Sequence, residues 1–451
     1  MLEKILTFIT HRRYLIVLLG IISIAIVTSL YLTAGMPKPA LRMTEESQVG
    51  AFGPIIIQFR NTIVASKVEN FLRLEPAVKG VWTWNEKQAI FRPESAFQIG
   101  ETYTLRLNKG AMDESGHSLK TEVAWTFTIR AADIVYLGQT ASSPEVWLAE
   151  INNTIQRPLT ETGGNVNDFA VFPSGDQVVY SATNSQGGAD LWTVDRNGKN
   201  HTQLLDCGPD ACIQPSVAPD ETAVTFSRQN QTFLQGEIWL LDLSTGRAEA
   251  LYKDQHISGI DPNWSPQGRY LQFYDTDFAQ IRVLDLATNR VILIPTDQQA
   301  IGSWSPDGQN LLFTRAESSE IGLPYVRIYV ADLATGNIHP LVEADLGQVD
   351  SSLPVYSPNG QSLVMAIRGL TGSANKQLWL IPLDGSANQP ITDDPGASFA
   401  AYRWDPNGDR LVFQRLQLQS SQSRPQVMVW SRENGTLEVV AEDAARPQWL
   451  P

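Results

Sequence analysis

A five-residue phrase recurs down the chain and sets its period. An aromatic or Val, a small residue, Pro and a turn pair precede a short apolar run. It stands as Trp264-Ser265-Pro266-Gln267-Gly268, Trp304-Ser305-Pro306-Asp307-Gly308, Tyr356-Ser357-Pro358-Asn359-Gly360 and Trp404-Asp405-Pro406-Asn407-Gly408. Degenerate copies, Phe172-Pro173-Ser174-Gly175-Asp176 and Val217-Ala218-Pro219-Asp220-Glu221, come earlier, and Trp449-Leu450-Pro451 is a truncated one. The prolines, at 173, 219, 266, 306, 358, 406 and 451, stand 40 to 52 residues apart. A period of that size in an all-β pattern predicts a propeller with one blade per repeat.

Each repeat reads as four strands. The aromatic before Pro closes the innermost strand, and Pro and Gly make the turn out of it. Second strands follow, such as Tyr270-Leu271-Gln272-Phe273 and Arg410-Leu411-Val412-Phe413. Third strands such as Ile328-Tyr329-Val330-Ala331 end in hairpin turns like Asp332-Leu333-Ala334-Thr335-Gly336. The Asp at 195, 242, 285 and 332 is a recurring turn residue. Ile134-Val135-Tyr136-Leu137 is a second strand with no first strand ahead of it, and Arg446-Pro447-Gln448-Trp449-Leu450 supplies that missing strand. Six complete repeats and one split repeat predict seven blades over residues 131–451. Closure by both ends would hide edge strands that otherwise pair with other chains.

The Trp-Ser-Pro-Asp-Gly phrase, followed by Leu-x-Phe, resembles the repeat of TolB-type propellers and covers residues 131–451. The resemblance implies the fold. It leaves activity open, since the same repeat serves peptidases, lyases and binding modules.

Residues 14–34 carry no charge and are rich in Leu, Ile and Val. At ~1.5 Å per residue they reach about 31 Å, the thickness of a hydrocarbon core. Lys4, Arg12 and Arg13 precede this run against Glu3 alone. The expectation is a cytoplasmic tail at 1–13, an uncleaved transmembrane helix at 14–34, and export of everything beyond. A cleaved signal peptide is the alternative, with Thr33-Ala34-Gly35 as its small-residue site. Residues 35–43, with Pro37 and Pro39, read as a stiff linker.

Residues 44–130 show a different β pattern, with strands at Pro54-Ile55-Ile56-Ile57-Gln58-Phe59, Val81-Trp82-Thr83-Trp84, Ala89-Ile90-Phe91-Arg92-Pro93, Thr102-Tyr103-Thr104-Leu105-Arg106-Leu107 and Ala124-Trp125-Thr126-Phe127. The alternation of Tyr103, Leu105 and Leu107 with polar residues predicts a sandwich with one buried face per sheet. With Glu75-Pro76-Ala77-Val78-Lys79-Gly80, Gly100-Glu101-Thr102-Tyr103 and Asp113-Glu114-Ser115-Gly116, the stretch resembles the bacterial Ig-like module of the surface-layer protein SbsA. Such modules act as spacers or adhesive units.

The chain's formal charge of −14, with acid in excess throughout the part beyond the basic N-terminus, argues against nucleic acid and against an anionic membrane surface. Eight of twelve tryptophans fall on repeat positions and read as core. Cys207 and Cys212 bracket a short loop; in an exported protein they are expected to form a disulfide, with a free pair or a metal site as alternatives. Gly-x-Ser-x-Gly is absent from the sequence. His201, His256 and His339 lie on outer strands or loops, and Asp275 and Asp277 lack the rest of a calcium loop. The expectation is therefore no catalytic set, no metal and no cofactor.

Stacking the inner strands in register gives a candidate binding site. Five places before each repeat Pro stand Asp168, Gln214, Asp261, Ile301, Leu353, Ala401 and Arg446, and Arg403 lies two residues deeper. Asp168, Gln214, Asp261, Arg403 and Arg446 form a polar arc at the expected channel mouth, opposite Ile301 and Leu353. Such an amphipathic mouth would suit a protein or peptide partner in the cell envelope, and a solvated rim with no partner stands as an equal alternative. A hydrolase or lyase working through the channel is the second reading, and a structural envelope component the third. The long loops at 228–236, 316–325 and 416–425 lie on the same face.

Overall fold

The computed structural model describes residues 35–42, 48–139, 143–151, 155–230, 236–252, 257–296, 299–318, 324–341, 350–368, 375–418 and 423–451. The expected membrane segment at 14–34 and His256 lie outside these residues, as do parts of the three long loops. Among the described residues no helix is long and apolar enough to cross a membrane.

The chain divides into two compact units, one containing Pro54–Ile129 and the residues up to Val49, the other Arg130–Pro451 with Gly50–Gly53. The first is a sandwich of two four-stranded sheets. One orders Ala40–Arg42, Ile55–Gln58, Gln88–Pro93 and Gly80–Trp84; the other orders Gln48–Val49, Val123–Ile129, Thr102–Leu107 and Leu72–Glu75. Tyr103, Leu105 and Leu107 are buried, and Tyr103 stacks with Phe127 and meets Phe97 edge to face. Part of the expected linker departs from that reading. Ala40–Arg42 pairs antiparallel with Ile55–Gln58, and Met36 is buried, its N–H donating to the Ser118 carbonyl at 3.1 Å. Pro37 and Pro39 hold this stretch extended, and an extended segment with an apolar residue can join a sheet edge as readily as cross solvent.

The second unit is a β-propeller. Its strands form antiparallel sheets that follow the sequence repeat: Gly259–Trp264 with Tyr270–Asp275, Gln280–Asp285 and Arg290–Pro295 is one, and Ala397–Trp404 with Arg410–Gln417, Gln426–Ser431 and Leu437–Glu442 another. Two successive repeats, 166–205 and 211–250, share one sheet through a single parallel bridge between Ala189 and Ala211. The turn phrase has a clear physical role. Ser265, Ser305 and Ser357 are buried, and each hydroxyl accepts the N–H of the residue opening the second strand, at 2.9, 3.0 and 3.0 Å. Asp405 replaces serine in the fourth copy and accepts the Arg410 N–H at 3.1 Å. Gly268, Gly308, Gly360 and Gly408 sit at φ between 64° and 79°, where a Cβ is disfavoured.

Neighbouring sheets are joined by apolar packing and by buried polar links. Tyr270, Val283, Leu311 and Phe313 share one cluster across two sheets. Ser227 Oγ donates to the Gly259 carbonyl at 2.9 Å, and the Gln272 amide both donates to and accepts from the Gly302 backbone at 2.9 Å. Each link ties a second strand to the inner strand of the following repeat, which fixes the stacking order.

The tail strand Ala444–Leu450 pairs antiparallel with Asp133–Gly138, Trp449 opposite Ile134, completing a sheet with Glu145–Glu150 and Ile155–Pro158. Two arginines hold this junction. Arg196 donates to the carbonyls of Gly175 and Pro451 at 2.9 and 2.8 Å and pairs with Asp133 at 2.6 Å. Arg130 donates to the Pro451 carbonyl and to Asp176, each at 2.8 Å. Both guanidiniums are largely buried, so their hydrogen bonds exchange little with water.

Cys207 and Cys212 are joined by a disulfide and both are buried. Asp190 accepts the Cys207 N–H at 2.9 Å, so the loop is held on two sides.

Candidate functional site at the inner-strand mouth

The inner strands share one register. The residue three places before each repeat Pro pairs with the same second-strand position: Ala170 with Val179, Ser216 with Thr225, Asn263 with Gln272, Ser303 with Leu312, Val355 with Val364, Arg403 with Val412 and Gln448 with Val135. Two residues before that point, four strands carry a bulge. The pairing shifts between Ile213 and Ser216, Ile260 and Asn263, Ala400 and Arg403, and Ala445 and Gln448. The extra residue is Gln214, Asp261, Ala401 or Arg446, each left-handed, with φ of 54°, 54°, 50° and 53°. A non-glycine residue there is uncommon, and a bulge re-aims its side chain away from the regular pleat. Asp168 differs: its strand shifts between Val166 and Asp168, one step earlier, and Asp168 is not left-handed.

Four of the five expected site residues come together. Arg446 Nη1 lies 3.1 Å from Asp168 Oδ1 and also donates to the Asn167 carbonyl at 3.5 Å. Gln214 Oε1 accepts the Asp261 N–H at 3.2 Å. Asp261 feels both other charges. Burial is the largest influence and raises its pKa; Asp168 raises it further, while Arg446 and the Gln214 amide draw it down. Asp168 is likewise raised by burial, against the pull of Arg446 and the Phe169 N–H. Ile301, Leu353 and Ala401 are half-buried at the equivalent positions.

Arg403 stands apart from that cluster. Its Nη1 donates to the neighbouring Tyr402 carbonyl at 3.2 Å, and its own carbonyl accepts the Trp449 Nε1–H at 3.0 Å. Burial lowers its pKa, although over a third of its surface is open to solvent. A guanidinium that protein surrounds and solvent still reaches has both properties.

Several participants were not expected. The Arg446 N–H donates to Gln414 Oε1 at 3.2 Å, Gln448 Nε2 donates to the Phe169 carbonyl at 3.1 Å, and the Tyr402 hydroxyl donates to the Leu353 carbonyl. The Tyr402 hydroxyl is buried and its pKa is raised for that reason. These groups lock neighbouring inner strands together around the mouth. A Pro directly after Gln214, Asp261 and Arg446 was the visible clue, since Pro withdraws an N–H where the bulge breaks pairing.

Other candidates read from the sequence resolve into structure. His201 meets the Tyr180 hydroxyl at 3.1 Å, and His339 is exposed. Asp275 is fully buried, paired with Arg282 at 2.5 Å, and accepts the Asp277 N–H; Asp277 accepts the Ser258 N–H. Among the described residues no group of three or more metal-ligating side chains converges. A groove of about 440 Å³ lies elsewhere, lined by Glu150, Ile155, Gln156, Arg410, Val439 and Val440. None of the five expected site residues lines it.

Residues 44–129 match the profile of the bacterial Ig-like domain family. A Bacillus subtilis protein named uncharacterized peptidase YuxL is 25% identical over 208 residues, covering 44% of this chain and 28% of that protein. An uncharacterized Agrobacterium fabrum protein, Atu1656, is 25% identical over 153 residues, covering 32% of this chain and 50% of that one. The chain thus spans half or less of the length of these curated relatives. Among solved structures, TolB from Acinetobacter baumannii superposes with a TM-score of 0.42 at 19% identity, covering 70% of this chain and 82% of TolB.

Proposed function

We propose that this protein is a membrane-tethered extracytoplasmic binding protein. On this reading residues 14–34 anchor it, the Ig-like module spaces it from the bilayer, and a closed, seven-bladed TolB-like propeller engages a protein or peptide of the cell envelope. The observation that carries the reading is the mouth itself. Arg446, Asp168, Asp261 and Gln214 are brought together by bulges that re-aim side chains, at the register where the other strands offer Ile301 and Leu353. Paired charges beside an apolar arc suit an extended peptide: the arc buries side chains while the charged groups fix orientation. Closure of the tail strand onto Asp133–Gly138 supports the seven-bladed ring, since it supplies the inner strand the first sheet lacks.

The test is retention of partners by the full chain, extracted from its native membrane. Arg446→Ala is expected to weaken binding of a co-purified partner at least tenfold with unchanged thermal melting. Undiminished binding by that variant, or by Arg446→Ala with Asp261→Ala, would overturn the reading. Protease added outside intact cells or spheroplasts should degrade residues beyond 35; full protection would overturn the export.

One observation favours the second reading, an envelope hydrolase or lyase. Two half-buried carboxyls, Asp168 and Asp261, interact and both have raised pKa values, a condition that suits one of them as a general acid. Turnover of an envelope polymer or peptide, abolished by Asp261→Asn with binding retained, would select it.

A further inference from the structure

The mouth described above leaves one charge unanswered. Arg446 has Asp168, and Arg415, on the second strand beside Arg403, has Asp394. Arg403 has no carboxylate within salt-bridge distance among the described residues. The hydroxyl of the adjacent Tyr402, whose pKa burial raises, is neutral and already donated to the Leu353 carbonyl. At the depth of Arg403, the other six inner strands carry Ala170, Ser216, Asn263, Ser303, Val355 and Gln448, none of them charged and most of them small. Asn263 Oδ1 is occupied by the Trp304 Nε1–H at 2.7 Å, and the Gln448 amide donates to Phe169. The ring at this level therefore holds one guanidinium with most of its N–H donors unspent, facing open space among neutral neighbours.

A guanidinium that solvent reaches, with no counter-charge from the protein and most of its donors free, is available to an anion arriving from outside. The planar fork of Arg suits a carboxylate, which it can hold by two parallel hydrogen bonds. Above this level stand Asp168 and Asp261, which disfavour a diffuse polyanion and leave room for a chain bearing a single negative group. We infer that Arg403 is the receptor for a carboxylate of an extended peptide that enters at the mouth, its free C-terminus or an Asp or Glu side chain. The inference rests on the binding reading above and adds the chemical class of the group bound at depth.

The experiment uses the full chain in detergent with four acetylated octapeptides of one alanine- and leucine-based sequence. One has a free C-terminus, one is amidated, one is amidated with a central Glu, and one is amidated with Gln in its place. Binding is followed by calorimetry. At least one carboxylate-bearing peptide should bind at least tenfold more tightly than its neutral twin; which one does tells the terminus from the side chain. Arg403→Gln should erase that difference, and Arg403→Lys should keep part of it, with melting temperatures of both variants measured to confirm folding. Because Arg403→Gln could perturb the inner strand, residue-resolved phenylglyoxal modification of the native protein is the second readout. The favoured peptide should protect Arg403, and its neutral twin should not.

Equal binding of acidic and neutral peptides would overturn the inference, as would an acid preference that survives Arg403→Gln. So would inorganic phosphate competing as well as the peptide carboxylate. Neutral peptides that bind in an Arg446-dependent way, indifferent to Arg403, would sink this inference and leave the binding reading standing. No binding by any of the four would count against both.

Discussion

Removing the Trp449 side chain tests whether the tail strand closes the propeller. Trp449 is 6% exposed, packs with Ile134, Tyr136, Val412, Val427 and Val429, and donates its Nε1–H to the Arg403 carbonyl at 3.0 Å. That cluster spans the closing sheet and the sheet before it, so the indole sits where the two ends of the domain meet. Trp449→Ala removes a large buried ring and should cost about 3–5 kcal/mol. Trp449→Phe keeps most of the apolar contact and loses the donor, leaving a carbonyl short of a partner, at about 1–2 kcal/mol. With ~2.1 cal/mol/K of unfolding entropy per residue over roughly 320 residues, each kcal/mol moves the midpoint by about 1.5 °C. The Ala variant should melt about 4–8 °C lower and the Phe variant about 1–3 °C lower by differential scanning calorimetry. Phe278→Ala, at a ring 69% exposed, serves as the control and should leave the transition in place. A Trp449→Ala protein melting within 1 °C of the native chain would refute the closure.

Asp261 makes a prediction about pH. Its pKa is raised by burial and by Asp168, so the folded state holds that proton to higher pH than the unfolded chain does. Its contribution is fully present below the ordinary aspartate value of about 3.9 and is lost as pH rises through the raised one. Asp261→Asn should flatten the fall in melting temperature above about pH 4 and exceed the native protein at neutral pH; superimposable pH profiles would contradict this. Ser357→Ala strands the Ser362 N–H at a buried turn and should cost about 1–2 kcal/mol in urea unfolding. Replacing Cys207 and Cys212 together by Ser opens a short loop and should cost about 2 kcal/mol, measured against the native protein without reductant.

What could be read from residues alone follows from how local the cause is. The turn after each inner strand needs Pro for φ, Gly for a left-handed angle and a hydroxyl to take the next N–H, all within six residues, so it was visible in the chain. The disulfide loop was legible in the same way, as one of three stated possibilities. The bulges were only partly legible. The Pro after Gln214, Asp261 and Arg446 marks a break in pairing, but the left-handed angle of these residues and of Ala401, which glycine would have announced, is imposed by the tertiary setting. The locks at Arg130 and Arg196 were equally hidden, because their partners lie more than 250 positions away at Pro451. Of the mouth, the residues were identifiable from register and their pairing was not. Nothing in the spacing says that Arg446 takes Asp168 and leaves Arg403 without an acid.

That asymmetry bears on how such a site can be selective. Register alone would give seven inner strands the same side-chain direction and a mouth of near-uniform character. Four left-handed bulges and one strand that shifts a step earlier break this uniformity, so equivalent positions in the repeat are no longer equivalent in space. A left-handed non-glycine residue costs roughly 1 kcal/mol or more, and four of them near one rim persist only because links such as Gln272 to Gly302 and Trp449 to Arg403 over-determine the strands around them. Loosening one such link should therefore change the mouth before it unfolds the ring. Gln414→Ala, which frees the Arg446 N–H, is the mildest such change, and it should weaken partner binding by more than its small effect on melting would suggest.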